Sequence, residues 1–203
     1  GDIGPYSPTE CDYLDTECTC VENLPLPLES FGYPHTLLLN SAGEKSLLAY
    51  NATYGDVMYA NNVPNEDAAY QFIAGVPEAT DDNVTGGLNG PRSGISAPGD
   101  DVGNALDAVV DSSGQIHAVW RNATTGSLEY GTLKSDATSW NIEVLDAQGD
   151  AGYGAQIALI SDTQFLVAHV AIDNDASKSF VRVLALTLTG LIRSMSGEST
   201  AKS

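Results

Sequence analysis

Two segments of this chain repeat each other. Asn51-Ala52-Thr53-Tyr54-Gly55-Asp56-Val57-Met58-Tyr59-Ala60 aligns with Asn122-Ala123-Thr124-Thr125-Gly126-Ser127-Leu128-Glu129-Tyr130-Gly131. Each follows an apolar run ending in an aromatic, Tyr50 in one copy and Trp120 in the other. Each is preceded by a glycine turn, at Gly43 and at Gly114. A recurring unit of strand, turn, strand, turn and strand predicts a modular β array, because one such unit cannot bury its apolar face alone.

The second copy is the most regular. Ala105–Asp111 reads as a strand, and Gln115–Arg121 alternates so that Ile116, Ala118 and Trp120 share one face. Leu128–Leu133 and Trp140–Leu145 complete an antiparallel sheet of four strands joined by short turns. Strands at 35–40, 46–51, 56–61 and 69–76 form the first copy. A third opens at Gly149-Asp150-Ala151-Gly152, an echo of Gly99-Asp100-Asp101-Val102-Gly103, and continues through 156–160, 165–170 and 180–188. Helical periodicity is nearly absent, so the fold class is all-β. The units are bounded at about 35–76, 99–146 and 149–192, within a repeat region 35–192. Residues 1–34, with Pro5, Pro8, Pro25, Pro27 and Pro34, read as an extended Cys- and Pro-rich strap. Residues 193–203 read as a flexible tail. The Asn-Ala-Thr turns are 71 positions apart, whereas the Gly-Asp markers are 50 apart, so residues 77–98 form an insertion loop.

Charge narrows the partners. The chain carries 27 acidic residues against 8 basic ones, a net charge of −19, with the acids spread through the turns. Such a surface favours solubility and repels polyanions, so no nucleic-acid partner is expected and anionic membrane surfaces are poor partners. A cation or a neutral glycan is compatible with it. No apolar stretch approaches the roughly 20 residues of a transmembrane helix. The cysteines, Cys11, Cys18 and Cys20, all lie in the strap. They allow one disulfide with a thiol left over, an intermolecular bridge or a metal site, although the paired spacing of a zinc ribbon is missing. Clustered cysteines and few lysines point to an exported protein, extracellular, cell-surface or periplasmic.

The order of landmarks in residues 99–146 resembles the bacterial-neuraminidase-like repeat of propellers in exported bacterial proteins. Those landmarks are the Gly-Asp opening, Asp111, Gly114, Trp120, Ala123-Thr124-Thr125-Gly126, Leu128-Glu129-Tyr130 and Trp140. Residues 35–76 match in the middle strands, and 149–189 match at the start. The resemblance implies β-propeller blades, about three of them. A propeller needs at least four, so closure requires further copies, a partner chain or additional sequence. The sialidase Asp-box is not spelled out, and Asp111-Ser112-Ser113-Gly114 is only a loose cousin. The sialidase catalytic set is missing too, with only Arg92, Arg121, Arg182 and Arg193 to supply an arginine cluster.

Several residues are candidates for chemistry, each with a plainer alternative. Tyr50, Trp120 and Trp140 can stack on sugar rings, with Arg121 beside them, or fill the core between units. Asp173, Asp175 and Ser177 are the best calcium candidates among the oxygen-rich turns, which otherwise cap strand ends. His117 and His169, in neighbouring units, can face a shared metal site or pack between strands, and His35 is the third histidine. Asn51, Asn83 and Asn122 each begin an N-x-Thr sequon, with a competing turn role at Asn51 and Asn122. No G-x-S-x-G elbow, H-E-x-x-H motif or phosphate-binding loop occurs. The expected function is a non-catalytic binding or assembly subunit making protein–protein contacts. A glycan-binding propeller is the alternative, and a glycoside hydrolase a remote one.

Overall fold

The computed structural model of the chain describes residues 30–63, 70–85, 91–134, 138–175, 177–187 and 190–199. They form three four-stranded antiparallel sheets, each built from consecutive strands in chain order. Sheet I contains β1 (Phe31–Leu39), β2 (Lys45–Asn51), β3 (Asp56–Asn61) and β4 (Tyr70–Ala74). Sheet II contains β5 (Val102–Val110), β6 (Ile116–Asn122), β7 (Ser127–Leu133) and β8 (Asn141–Asp146). Sheet III contains β9 (Asp150–Ser161), β10 (Gln164–Asp173), β11 (Lys178–Thr187) and β12 (Gly190–Ser199). No helix among the described residues is long and apolar enough to cross a membrane. The twelfth strand crosses the boundary at 193, where a flexible tail is expected. It pairs along β11 from Thr187↔Gly190 to Ser179↔Ser199, so ladder hydrogen bonds order a segment whose serines and glycine carry little apolar signal.

The sheets stack through two apolar interfaces. The first strand of each sheet lies against the sheet before it: β5 against β1, β2 and β3, and β9 against β5, β6 and β7. Strand β6 is buried along its whole length because both of its faces are covered. Ile116, Ala118 and Trp120 join Leu38, Leu48, Val57 and Tyr59 of sheet I in one core. Val119 points the other way, into a second core with Phe165, Val167 and Leu184 of sheet III. Burying each large side chain of this kind contributes about 1.5–3 kcal/mol. The face a sheet turns toward the next sheet is termed its leading face, and the opposite face its trailing face.

The repeated turn explains its own sequence. Asn51 Oδ1 accepts the N–H groups of Thr53 (3.0 Å) and Tyr54 (3.3 Å), and Asn122 Oδ1 accepts that of Thr125 (3.0 Å). The alanine N–H ties the turn to the start of its own sheet, Ala52 to Ser30 O and Ala123 to Asp101 O, both at 2.7 Å. The threonine hydroxyl accepts the N–H of that same starting residue, Thr53 from Ser30 (2.7 Å) and Thr124 from Asp101 (2.8 Å). The glycine carbonyl then receives the next sheet, Gly55 from Val102 N–H (2.6 Å) and Gly126 from Ala151 N–H (2.9 Å). Both glycines sit at positive φ, +77° and +69°, which turns the carbonyl outward at no steric cost. The repeat is therefore a latch between sheets as well as a hairpin.

The insertion loop is anchored. Val84 and Ile95 form an isolated bridge, and a 3₁₀ turn covers Pro91–Gly94. Within it Arg92 is buried. Its Nε lies 2.7 Å from Asp56 Oδ2, its Nη1 donates to Ala97 O (2.7 Å), and its guanidinium stacks over Tyr54 at 4.2 Å. Arg92 and Ser93 both adopt left-handed backbone conformations, φ +53° and +55°. Those conformations cost of order 1–3 kcal/mol each, which the ion pair and the carbonyl bonds offset.

Candidate functional site

The proposed sugar-stacking group does not assemble. Trp120 is fully buried in the core between sheets I and II, and its Nε1 donates to Glu129 Oε2 at 2.8 Å. Its ring lies across Gly131, where a Cβ would sit 2.1 Å from it. Arg121 points to the opposite side, onto sheet III, where Nη2 meets Asp150 Oδ1 at 2.7 Å and the guanidinium covers the Tyr153 ring at 4.0 Å. Counting from the latch asparagines, the counterpart of Tyr50 is Arg121, and Trp120 corresponds to Ala49. The two aromatics that end the apolar runs thus lie on opposite faces, because strand side chains alternate. Tyr50 plays the part of Arg121: its hydroxyl donates to Asp101 Oδ1 at 2.8 Å. Burial, and then the Asp101 bond, push its phenol up to about 12. Trp140 is part-buried and packs edge-on against Tyr59 (5.5 Å) and Trp120 (6.2 Å).

The other candidates are likewise built into the framework. His117 is buried, with Nδ1 2.6 Å from Tyr130 Oη and Nε2 3.3 Å from Asp111 Oδ2. This order of acid, imidazole and hydroxyl resembles a catalytic relay, but it is sealed between sheets II and III against Phe165, 4.1 Å from the imidazole. Burial pulls His117 below the ordinary histidine range, against the opposing pull of Asp111. Burial alone would raise the Asp111 carboxyl, but the bonds from Ser113, His117 and Gln115 outweigh it and hold it low. His169 accepts the Gly152 N–H at Nδ1 (3.1 Å), which leaves Nε2–H facing Asp146 Oδ2 at 3.2 Å. Burial lowers its pKa as well. Asp146 also takes Arg182 Nη1 at 2.6 Å. His35 lies on β1, its Nδ1 paired with Gly32 O.

In the turn expected to hold calcium, Asp173 Oδ1 accepts the Asp175 N–H at 3.1 Å, and Ser177 has φ +50°. It is a self-closed turn, and among the described residues no three His, Cys, Asp or Glu side chains gather to hold a metal. Asn51 and Asn122 are buried with their amides engaged in the latch, so neither is an open glycosylation acceptor. Asn83 caps its loop through Thr80 N–H (2.8 Å) and Glu78 O (3.0 Å). Cys11, Cys18 and Cys20 lie outside the described residues.

Open space lies elsewhere, at the two ends of the interface between sheets I and II. The larger cleft, about 570 Å³, opens at the end opposite the latch turns. Its polar lining includes Asn40, Asn61, Asn62, Gln71, Ser46 and Lys134, over an apolar floor of Leu38, Ile116 and Leu133. Tyr59 stands at the junction, its hydroxyl 3.3 Å from Ser46 Oγ. Asn62 is held at φ +57°, a conformation asparagine tolerates. Asn40 is braced by Glu44, its Nδ2 donating to Oε2 at 2.6 Å. The smaller groove, about 390 Å³, lies at the latch end beside Pro77, Asp100, Asn122, Glu129 and Ile142. Its two carboxylates share one donor, Asn122 Nδ2, which reaches Glu129 Oε1 (2.9 Å) and Asp100 Oδ2 (3.2 Å).

Sequence reasoning passes over the larger cleft because its lining comes from four separated turns and strand ends on two sheets. The run Asn61-Asn62 and the isolated Gln71 are the only local hints. No protein-family model matches the chain, and a search of curated proteins returns no relative. Among solved structures, a fucose lectin from Kordia zhangzhouensis in complex with methyl-fucoside aligns over 82% of this chain and 99% of its own, at 16% identity and a TM-score of 0.45.

Proposed function

We propose that the chain is a non-catalytic saccharide-binding protein of the exported type, that its three sheets are propeller blades, and that the larger cleft is its ligand site. The stacking supports the blade reading: each four-stranded meander places its first strand against the preceding sheet, and the latch ties neighbours at one end. The neuraminidase-like order of landmarks in residues 99–146 fits the same layout.

One observation carries the functional reading, namely a cleft of ligand size lined by carboxamides and hydroxyls. Asn40 is spent on its own turn, but Asn61, Asn62 and the Gln71 side-chain oxygen line the same space, and a carboxamide both donates and accepts, which matches sugar hydroxyls that do the same. The volume is in the usual range for small-ligand pockets. Its charged residues, Glu44 and Lys134, are of opposite sign, so the lining selects neither anion nor cation. The strongly acidic surface around it disfavours polyanions and leaves a neutral saccharide as the best-matched class. Of the titratable groups in the lining, Glu44 is bonded to Asn40 and Tyr59 to Ser46.

Glycan-array screening followed by calorimetry on the best neutral oligosaccharide tests this. Gln71→Ala combined with Asn61→Ala is expected to weaken binding at least tenfold, about 1.4 kcal/mol, while the protein stays folded with only the long, exposed Gln71–Thr138 bond lost. Retention of full affinity in that variant, or absence of binding to every neutral glycan by folded protein, removes the reading.

A further inference from the structure

The two interfaces inside the molecule define what a docking face looks like here, and among the described residues sheets I and III each carry an unfilled half of that pattern. The latch bonds equate Ser30 with Asp101, and the latch carbonyl bonds equate Asp101 with Asp150. Two residues further along stand Gly32, Gly103 and Gly152, at φ +122°, +102° and +90°. In sheets II and III this glycine is where the preceding sheet presses in. A Cβ at Gly103 would lie 2.6 Å from Val57 Cγ2, and one at Gly152 would lie 2.9 Å from Arg121 Cβ. At Gly32 no atom of the described residues lies within 4 Å. Among the described residues, sheet I thus carries the docking glycine without the sheet that would need it.

The apolar positions on the same strand agree. Leu37 of β1 corresponds to Ala108 of β5 and Ile157 of β9, each 5% exposed in its interface, yet Leu37 is 66% exposed. Leu39, the counterpart of the part-buried Val110, is 65% exposed. The open part of this trailing face is its first strand, the element that carries docking at both internal interfaces. At the other end of the molecule, the leading face of sheet III presents Leu166, Ala168, Val170, Val181 and Val183, which register across β10 and β11. Val181 corresponds to Val57 and Leu128, both 0% exposed, but is itself 45% exposed.

The polar latch partners vary together. Where the leading face offers Tyr50 or Arg121, the receiving sheet offers Asp101 or Asp150. Sheet III has Val170 at that place, the position next to His169 as Arg121 is next to Trp120, and sheet I has the uncharged Ser30. An apolar face without a latch side chain meets a face without a carboxylate.

We propose that the leading face of sheet III docks onto the first strand of sheet I of a second copy of this chain, extending the internal stacking head to tail. This rests on the sheets being blades, but not on the saccharide site. With two copies, two such contacts close a ring of six sheets. Because both copies are strongly acidic, association tightens as salt screens their repulsion.

Sedimentation equilibrium of the full chain at low and high salt is the test. The expected result is a dimer whose dissociation constant falls as sodium chloride rises. Val181→Glu with Val170→Asp, and separately Leu37→Glu with Leu39→Glu, are each expected to give folded monomers. Mixing the two variants is expected to restore a dimer, since one leading face and one trailing face remain intact. Wild-type protein that is monomeric at millimolar concentration overturns the proposal. Dimers that survive both pairs of substitutions, or variants that do not complement when mixed, overturn it as well. Circular dichroism of each variant separates loss of association from loss of fold. A monomer that still binds saccharide removes this contact and leaves the ligand site standing.

Discussion

The two interfaces of this molecule solve one packing problem with different chemistry. Between sheets I and II the contact is aromatic and mostly apolar, with Trp120, Trp140 and Tyr59 at its centre and a neutral phenol, Tyr50, reaching Asp101. Between sheets II and III the same positions carry Arg121 on Asp150, and two imidazoles are sealed in beside carboxylates. A shared backbone plan, latched by the same turn, therefore accepts either a dry contact or an ionisable one. The ionisable contact is expected to make sheet III respond to pH, and the clefts lie at the ends of the apolar one.

That contrast can be broken in order of decreasing effect. Trp120→Ala removes the central ring of the dry interface, and is expected to cost about 3–5 kcal/mol in urea unfolding. Gly131→Ala is expected to destabilise by about 1–3 kcal/mol, although alanine normally suits a strand better than glycine, because the new methyl overlaps the Trp120 ring. A neutral or stabilising result would show that the ring has room to move.

Acidification sharpens the comparison. His117 and His169 have pKa values lowered by burial, so each binds its proton more weakly folded than unfolded. Their contribution is complete above the unfolded value near 6.5 and is lost as the pH falls through it toward the folded value. Asp111 and Asp150, also held low, lose theirs only in the acid range below the ordinary carboxylate pKa. Hydrogen exchange is expected to show β9 and β10 losing protection between about pH 7 and 5, the range that brackets the unfolded imidazole value, while β2 and β3 keep theirs. His169→Gln should flatten that dependence. Equal loss in both regions would place the titrating groups elsewhere. The smallest effect is expected from Tyr50→Phe, which deletes one part-buried hydrogen bond to Asp101 and should cost about 0.5–1.5 kcal/mol.

Much of this architecture is legible in the chain. Alternation at Ile116, Ala118 and Trp120 places the core face of β6 correctly, and the Asn-Ala-Thr turns mark two of the hairpins. The pairing of Tyr50 with Trp120 fails because a match of aromatic to aromatic ignores the one-residue step that reverses a strand's faces. The sequons at Asn51 and Asn122 fail for a related reason: the pattern that a glycosylation signal shares with a turn is consumed by the turn. The Arg92–Asp56 pair escapes sequence reasoning, since its partners are 36 positions apart and the Asp56 position in the other copy of the repeat is Ser127.

By itself the sequence determined the succession of hairpin strands short of β12, the Asn-Ala-Thr turns and the acidic, helix-poor character, because each depends on neighbours within a few residues. Tertiary structure alone decided which side chains meet across sheets: the sealing of His117 and His169, the carboxamide cleft, and the lack of any described residue against Gly32. Local periodicity sets which face a residue occupies, but only the stacking of sheets sets what that face encounters, and burial, charge and access all follow from the encounter.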